Sequence, residues 1–211
     1  MIISHIIGGL GNQMFQYAVG RALSLERRVP LSLDTQDFSG YTLHNGFELD
    51  YIFNIKAQLA TDREIKDVLG WRANSPIRRQ LLFKKQLRKL RGSKMFVDTQ
   101  FSSWNQISEV PDAAYLMGNW QTEKYFYKAQ DAIRLDFTFK QSITECNTEL
   151  IDLIDGSVSV SLHIRRGDIA SNPISLAFHG LCSLGYYQRA LEYVTDRVAN
   201  PTFFIFSDDI P

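Results

Sequence analysis

The stretch IISHIIGGLGNQMFQYAVGRALSLERRVPLSLD, residues 2–34, contains two apolar runs separated by a glycine-rich turn and an amphipathic segment. Residues 2–7 predict a buried strand. The segment that opens near Asn12 has apolar residues at helical spacing: Phe15, Ala18, Val19, Ala22 and Leu23. A second apolar run, residues 29–33, ends at Asp34. This order of strand, turn, helix and strand predicts the start of a doubly wound α/β domain.

A second unit of the same kind lies near the other end of the chain. Residues 158–168, VSVSLHIRRGD, predict a strand covered on both faces that ends in two arginines, a glycine and an aspartate. A predicted helix over residues 184–198 and a predicted strand over residues 202–207 follow. We therefore expect an N-terminal Rossmann-like domain over residues 1–155 and an incomplete second one over residues 156–211.

The segment between these units has the strongest charge segregation in the sequence. Thr61 is typical of the cap of a helix over residues 62–69. Nine Lys/Arg residues then lie between Arg72 and Lys94, and the interleaved leucines predict a basic amphipathic helix. Such a helix either docks on an anionic membrane or exposes its charged face to water. Residues 113–120 predict a strand and residues 123–134 a helix.

Composition excludes several classes of protein. The formal net charge is zero, which argues against a general nucleic-acid-binding surface. The two cysteines, Cys146 and Cys182, belong to no cluster with metal-ligand spacing, and their number fits a reducing compartment. No basic region precedes the N-terminal apolar run, and no stretch approaches the roughly 20 apolar residues of a membrane span. We therefore expect a soluble cytoplasmic protein.

Arg165 and Arg166 indicate an anion site. In open α/β sheets ligands collect outside the carboxyl ends of strands, where both guanidinium groups would project. The planar fork of arginine suits phosphate recognition. His163 falls on the same face of the strand as Arg165. The alternative is an ordinary strand exit with a weak surface ion pair between Arg166 and Asp168.

The turn over residues 8–13, GGLGNQ, is a second candidate anion site, because a helix N-terminus offers unpaired N–H groups and the positive end of a dipole. It matches a dinucleotide fingerprint only in part. Met14 replaces the third small residue, although Asp34 stands where a ribose-binding acid is expected. The alternatives are close packing of helix against strand and an N-cap role for Asn12. A Walker phosphate loop is excluded, since no G-K-[ST] follows.

Asp208 and Asp209 end the last predicted strand. Paired carboxylates of this kind ligate a divalent metal in glycosyl or phosphoryl transfer, or hold a nucleoside. In the sequence, no nearby histidine or third carboxylate completes a metal constellation. Residues 179–183, HGLCS, predict a polar loop before a packed helix.

Four segments taken together closely resemble the α-1,2-fucosyltransferases of bacterial type, glycosyltransferase family 11: residues 8–18 (GGLGNQMFQYA), 163–168 (HIRRGD), 179–183 (HGLCS) and 206–209 (FSDD). They occur in the family's order along the chain. The resemblance implies a GT-B type enzyme, in which two Rossmann-like domains face a cleft. It implies GDP-fucose as the donor, inversion at the sugar and no metal or other cofactor. The family's sequence continues beyond Pro211, which implies that the second domain is truncated.

The resemblance also implies roles for particular residues. Arg165 would grip the donor β-phosphate with help from Arg166, while Asp168 orients the pair and His163 contacts donor or phosphate. Departing GDP carries developing negative charge, which fixed cations stabilise. The other implied donor contacts are Gly9, Gly11 and Asn12 at the pyrophosphate, and Asp208 or Asp209 near the guanosine.

The resulting hypothesis is transfer of L-fucose from GDP-fucose to the 2-hydroxyl of a terminal galactose in a surface-glycan precursor, such as that of an O-antigen. A lipid-linked acceptor would place the enzyme in the cytoplasm at the inner face of the membrane, with contact through residues 72–94. Candidate catalytic bases in the acceptor-side domain are His44, Glu48 and Asp50. The alternative is a truncated, non-catalytic nucleotide-sugar-binding or assembly module of the same fold.

Overall fold

The computed structural model describes residues 1–40, 44–74, 76–78, 81, 84–98, 103–140 and 145–209, without the side chains of residues 85, 103, 145, 146, 168, 175, 178 and 179. These residues form two compact units, Met1–Gln141 and Ser142–Pro211. The division falls before the predicted boundary at residue 155, because helix Glu145–Asp155 leads directly into the first strand of the second unit. Within the described ranges, no helix is long and apolar enough to cross a membrane.

The first unit contains a parallel sheet of five strands in the order β3-β2-β1-β5-β4. The strands are β1 (Ile2–His5), β2 (Leu31–Asp34), β3 (Gln58–Leu59), β4 (Met95–Asp98) and β5 (Ala114–Gly118). The predicted α/β class with a parallel sheet is therefore confirmed. Because all strands run the same way, the polar residues that end β1, β2 and β4 lie at one edge of the sheet.

Helix α1 (Leu10–Arg27) links the two central strands, as residues 2–34 predicted. It lies close to the sheet at Gly20, where a Cβ atom would come within 2.8 Å of the Leu31 Cδ1 atom. On one face of the sheet, Ile2 is buried together with Tyr17 and Leu23 of α1. On the opposite face, the strand residues Ile3 and Tyr115 are buried together with Ile65 and Leu81 from outside the sheet. Both faces of the parallel sheet are thus covered.

Helix α2 (Leu49–Ile52) and helix α3 (Asp62–Leu69) complete the first half of this unit. The predicted Thr61 cap is confirmed, since Thr61 and Glu64 form a reciprocal capping box. The predicted basic amphipathic helix is present only in part: the described residues 76–78 and 81 are α-helical, while Gly70–Ala73 and Lys85–Leu90 form short 3₁₀ helices. The prediction of one continuous helix is therefore wrong over the described residues. The helix predicted over residues 123–134 consists of two 3₁₀ turns followed by α4 (Gln130–Asp136).

The second unit contains α5 (Glu145–Asp155), β6 (Ser159–Ile164), α6 (Gly167–Ser171), α7 (Pro173–His179), α8 (Leu184–Thr195) and β7 (Thr202–Ser207). Its two strands pair in parallel, from Ser159 opposite Thr202 to Ile164 opposite Ser207. Strand β6 was expected to be covered on both faces, but its residues alternate between exposed and half-buried. In the described part of the chain β6 pairs with β7 alone. The GT-B arrangement of two Rossmann-like domains stays a prediction.

Candidate functional site

Strands β6 and β7 end side by side, so the motifs that follow them meet at one edge. The last residues of the two strands, Ile164 and Ser207, face each other in the register. The Ser207 hydroxyl donates to the Ile164 carbonyl at 2.9 Å and accepts the N–H of Asp209 at 3.1 Å. Ser207 therefore ties the two strand exits together just before the arginines and the aspartates.

Asp208 holds the turn that contains the arginines. Its Oδ1 atom accepts the backbone N–H groups of Arg166 at 2.7 Å and of Gly167 at 3.0 Å. These two hydrogen bonds lower the pKa of the Asp208 carboxyl below its usual value. Gly167 permits this close approach, since a Cβ atom there would lie 3.1 Å from the Asp208 carbonyl oxygen.

The two arginines lie beside the two aspartates. Arg166 Nε is 3.2 Å from Asp209 Oδ2, and Arg165 Nε is 4.0 Å from Asp208 Oδ2. Both arginine side chains are about half exposed, at 50% and 51%. The guanidinium groups are thus positioned by carboxylates while a large part of each faces solvent. Such fixed, accessible forks are suited to binding a phosphate group.

The structure adds contacts of Arg166 and of the two aspartates that the sequence did not predict. The ion pair made by Arg166 is with Asp209, on the neighbouring strand exit, whereas the Asp168 side chain lies outside the described residues. Asp208 and Asp209 both contact the arginine turn, and their expected role toward a metal or a nucleoside stays a prediction. Among the described side chains, no group of three His, Cys, Asp or Glu residues is arranged to hold a metal ion. His163 is exposed on β6, opposite Phe206.

The residues before α8 cap this helix and neighbour a tyrosine in its first turn. Ser183 caps α8 by accepting the N–H of Tyr186 at 3.3 Å, although α8, predicted to be a packed helix, has no buried residue in the described structure. Tyr187 is hydrogen-bonded to Cys182, and desolvation followed by this neighbour raises the pKa of the Tyr187 hydroxyl, while Arg166 opposes the shift. The His179 side chain lies outside the described residues.

The glycine-rich turn of the first unit has the geometry of an open helix N-terminus. Gly8 has φ +89°, a conformation that favours glycine. Gly9 is the N-cap of α1, which has no side-chain cap and no acidic residue in its first turn. No heavy atom lies within 4 Å of the position that a Cβ atom would take at Gly11. The amide groups at the start of α1 are therefore approachable by an anion.

Two glutamines fix this turn from inside. Gln13 is buried, and its side-chain amide donates to the carbonyls of Gly8 at 2.8 Å and Gly46 at 2.7 Å, while its Oε1 atom accepts the N–H of Glu48 at 3.0 Å. Gln16 accepts the N–H of Ile7 at 2.9 Å. Protein groups therefore occupy both the donor and the acceptor of the Gln13 amide.

Asn12 belongs to the first turn of α1, so its predicted alternative role as the N-cap is wrong. Its Oδ1 atom instead accepts a hydrogen bond from Gln121 Nε2 at 2.8 Å. Gln121 follows β5, so this contact joins the start of α1 to a neighbouring strand exit. Asn12 is thereby positioned beside the open glycine turn.

The structure places two of the three candidate bases at this turn. The imidazole of His44 lies against Gly9, with Nδ1 3.4 Å from where a Cβ atom would stand. Glu48 reaches the turn through its N–H bond to Gln13, and its carboxylate accepts from Asn45 Nδ2 at 3.2 Å. Asp50 is exposed in α2. Which of them accepts a proton stays a prediction.

Asp34 is not a ribose-binding acid, because its side chain is fully buried. Its Oδ2 atom accepts the Tyr115 hydroxyl at 2.6 Å and lies 3.2 Å from the Arg78 guanidinium. Arg78 also donates to the Ala73 carbonyl at 2.6 Å and to Gln36 Oε1 at 3.1 Å. Asp34 therefore stabilises the sheet edge, and the dinucleotide-binding alternative loses its acidic residue.

Sequence reasoning missed the buried polar groups at this edge. His5 Nε2 lies 3.0 Å from Asp37 Oδ2, and both side chains are buried. The Tyr125 hydroxyl donates to Asp98 Oδ2 at 2.8 Å. His5 and Asp98 each end an apolar strand with a polar residue, and this pattern could have indicated buried polar groups. Their partners Asp37 and Tyr125 could not be predicted, because they come from distant parts of the chain.

Comparison with known proteins identifies the family of this chain. The model of the family Glycosyl transferase family 11 matches residues 52–211. An α-1,2-colitosyltransferase of Escherichia coli is 39% identical over 210 residues, covering 100% of this chain and 69% of that protein. The O-antigen biosynthesis glycosyltransferase WbnK of Escherichia coli is 29% identical over 220 residues, covering 98% and 72%. The crystal structure of fucosyltransferase NodZ from Bradyrhizobium aligns with a TM-score of 0.47 at 13% identity, covering 99% and 71%. The family match and the 39% identity show that this chain belongs to glycosyl transferase family 11.

Proposed function

We propose that this glycosyltransferase moves L-fucose from GDP-fucose to the 2-hydroxyl of a terminal galactose in a surface-glycan precursor, with inversion at the sugar. The acceptor is lipid-linked, and the reaction takes place in the cytoplasm at the inner face of the membrane. Family membership and the names of the two Escherichia coli relatives support a nucleotide-sugar donor and a glycan acceptor.

The observation that carries the proposal is the pair of half-exposed guanidinium groups at the end of β6, held beside Asp208 and Asp209. In the proposed reaction the bond between the sugar C1 and the β-phosphate oxygen breaks as the galactose O2 atom bonds to C1. Negative charge then develops on the departing GDP. A cation fixed before the reaction stabilises that charge without reorganising. We assign this role to Arg165, with assistance from Arg166.

The other roles stay part of the proposal. Gly9, Gly11 and Asn12 are assigned to the donor because the start of α1 is open and uncapped. The proton of the galactose 2-hydroxyl needs an acceptor within hydrogen-bond reach. His44 and Glu48 are the better-placed candidates, since both contact the glycine turn. The leaving-group role of the arginines is one that a metal ion fills in other transferases, and no metal is included in the proposed reaction.

One comparison favours a second donor. The relative with 39% identity is named for colitose, a sugar that differs from L-fucose by the absence of the 3-hydroxyl. A site built to hydrogen-bond a hydroxyl rejects the analogue that lacks it, whereas a site without that contact accepts both. Transfer of colitose from GDP-colitose is therefore the competing reaction.

Donor competition tests the proposal directly. The protein is incubated with GDP-fucose, GDP-colitose or GDP-mannose and a panel of β-galactosides, and GDP release and product linkage are measured. We expect GDP-fucose to give the highest kcat/KM and an α-1,2 linkage. A higher kcat/KM with GDP-colitose would assign the donor to colitose, and no transfer with any galactoside would overturn the proposed acceptor.

Calorimetric titration with GDP tests the non-catalytic alternative. Binding in the micromolar range without transfer would favour a nucleotide-sugar-binding module. Binding together with transfer supports the enzyme. If neither binding nor transfer occurs in folded protein, the donor assignment to the arginine turn is wrong.

A further inference from the structure

An exposed tryptophan and an exposed leucine lie together on the first unit, away from the glycine turn in sequence. Trp71 is 56% exposed and Leu90 is 47% exposed. Single exposed apolar side chains are common on protein surfaces, so the link between these two through one arginine is the informative observation. They belong to different 3₁₀ segments, Gly70–Ala73 and Lys85–Leu90, so their proximity is a product of the fold.

Arg72 joins the two segments. Its guanidinium carbon lies 4.6 Å from the centre of the Trp71 ring, and its Nε atom donates to the Leu90 carbonyl. The same guanidinium lies against Gly92, where a Cβ atom would come within 3.2 Å of it. One side chain thus fixes Trp71, Leu90 and the turn at Gly92 in a single surface. We call this surface, with its neighbouring cations, the Trp71 patch.

The core beneath the patch explains why Leu90 faces outward. Leu87 packs against the buried cluster that includes Leu81 and Met95. Leu90 follows one turn later on the same side of the 3₁₀ helix, beyond the edge of that cluster. The 3₁₀ helix is therefore anchored at Leu87 and presents Leu90 at its rim.

The charged residues within the two segments have one sign. Lys84, Arg88, Lys89 and Lys94 are exposed, and Arg72 is half-buried. No acidic residue occurs in the sequence from Val68 to Val97. The formal net charge of the whole chain is zero, so this concentration of cations is local. Exposed cations in the same segments as an exposed tryptophan and leucine complement a surface that is both anionic and apolar.

We infer that the Trp71 patch docks on the surface of an anionic lipid bilayer. Tryptophan favours the level of the lipid head groups, where its ring is buried and its N–H stays hydrated. Each Lys or Arg close to an anionic bilayer contributes about 1 kcal/mol of attraction, which salt weakens. A soluble polyanion would use the cations but would offer nothing apolar to Trp71 and Leu90, which is why a bilayer is the better match.

Fluorescence quenching distinguishes a lipid bilayer from a soluble polyanion as the partner of the Trp71 patch. The protein is mixed with vesicles of phosphatidylglycerol and phosphatidylcholine whose acyl chains carry bromine, which quenches a tryptophan that enters the bilayer. Of the three tryptophans, Trp120 is fully buried and Trp104 is 38% exposed, so Trp71 is the expected reporter. We expect quenching that Trp71→Phe abolishes and that the matched control Trp104→Phe retains. Unquenched fluorescence in bound protein would overturn the inference.

Co-sedimentation with unbrominated vesicles tests the charges. Reversing two exposed cations in Arg88→Glu/Lys89→Glu should lower the partition coefficient by at least about tenfold, because each charge contributes about 1 kcal/mol. Lys128→Glu/Arg134→Glu makes the same change in net charge at two other exposed positions of the first unit and serves as the control. Equal losses in the two variants, or binding to pure phosphatidylcholine as tight as to the anionic mixture, would overturn the inference. If the protein binds heparin but does not bind vesicles, the partner of the patch is a soluble polyanion instead.

Discussion

The carboxylate of Asp208 accepts the backbone N–H of Arg166 at 2.7 Å, although the two residues end different strands. The same oxygen accepts the N–H of Gly167 at 3.0 Å. An aspartate after β7 thus determines the shape of the turn after β6. Because the two arginines begin that turn, the direction of their side chains depends on a residue that need not touch a ligand.

Replacement of Arg165 by lysine tests the proposed phosphate contact. Lysine keeps the charge but loses the planar fork, so we expect transfer from GDP-fucose to fall by more than about tenfold, which corresponds to about 1.4 kcal/mol of transition-state stabilisation. Steady-state kcat/KM is the measurement. Arg189→Lys, at an exposed position of α8, is the control and should keep full activity. A loss of less than tenfold for Arg165→Lys would remove the phosphate role from this residue.

The two backbone hydrogen bonds that Asp208 accepts predict a pH dependence of local structure. The pKa of Asp208 is lowered in the folded chain by the N–H groups of Arg166 and Gly167. Its stabilising effect is therefore fully present above the unfolded pKa, about 3.9, and is lost as the pH falls through the lower folded value. Hydrogen-exchange protection factors of the two amides should stay constant from neutral pH down to about 4 and decrease below it.

Three variants isolate that effect. Asp208→Asn keeps an oxygen acceptor without a titrating group, so its protection factors should not change with pH. Asp208→Ala should lose protection at every pH, because the two N–H groups lose their acceptor. Asp209→Asn is the matched control, since Asp209 contacts the Arg166 side chain and not these amides. Full protection in Asp208→Ala would show that the turn is held by something else.

Gly11→Ala distinguishes ligand binding from packing at the start of α1. No atom lies within 4 Å of the added methyl group, and Gly11 lies inside a helix. We therefore expect the free energy of unfolding to stay the same or to rise by up to about 1 kcal/mol. If the donor approaches this turn, GDP affinity should nevertheless fall. Urea unfolding and calorimetry measure the two quantities.

Gly20→Ala is the control for that substitution, because its methyl group would lie 2.8 Å from the Leu31 side chain and 3.0 Å from the Ser4 Cβ atom. It should destabilise the fold by about 1–3 kcal/mol. Unchanged GDP affinity in stable Gly11→Ala protein would remove Gly11 from the donor site.

The buried Asp34–Arg78 pair should dominate the stability of the first unit. Asp34→Asn leaves the Arg78 charge buried without its partner, so we expect a loss of about 3–5 kcal/mol in the free energy of unfolding. Tyr115→Phe removes one donor to Asp34 and should cost about 1–3 kcal/mol. Asp67→Asn disrupts an exposed pair with Arg63 and should change stability by less than about 0.5 kcal/mol. A similar small change in Asp34→Asn would contradict the assignment.

The local parts of the fold were predictable from sequence because their signals are periodic. The strand, turn and helix of residues 2–27 were predicted by an apolar run, a glycine-rich turn and apolar residues at helical spacing. Thr61 was predicted as a helix cap because its hydroxyl can accept a backbone N–H of the first turn. The edge position of Arg165 followed from the apolar strand that precedes it. In each case the residues that decide the structure are close together in the chain.

The predictions that were wrong concern structure that depends on contacts between residues distant in the sequence. Arg78 belongs to a run of basic residues that predicts a solvated surface. It is nevertheless buried against Asp34, which precedes it in the sequence by 44 residues. Composition cannot distinguish this one arginine from its exposed neighbours. The amphipathic pattern of residues 72–94 likewise predicted one long helix, whereas Leu81 and Leu87 are held by the core from separate short segments.

Gln13 has a consequence for the order in which the chain folds. Its amide connects the glycine turn at Gly8 to Gly46 and Glu48, which are synthesised later. A nascent chain that ends at residue 34 contains the whole strand–helix–strand unit but lacks two of the three partners of that amide. Long-range contacts of this kind form late, since the intervening loop must close first. The open start of α1 should therefore reach its final structure only after β1 and the rest of α1 have formed.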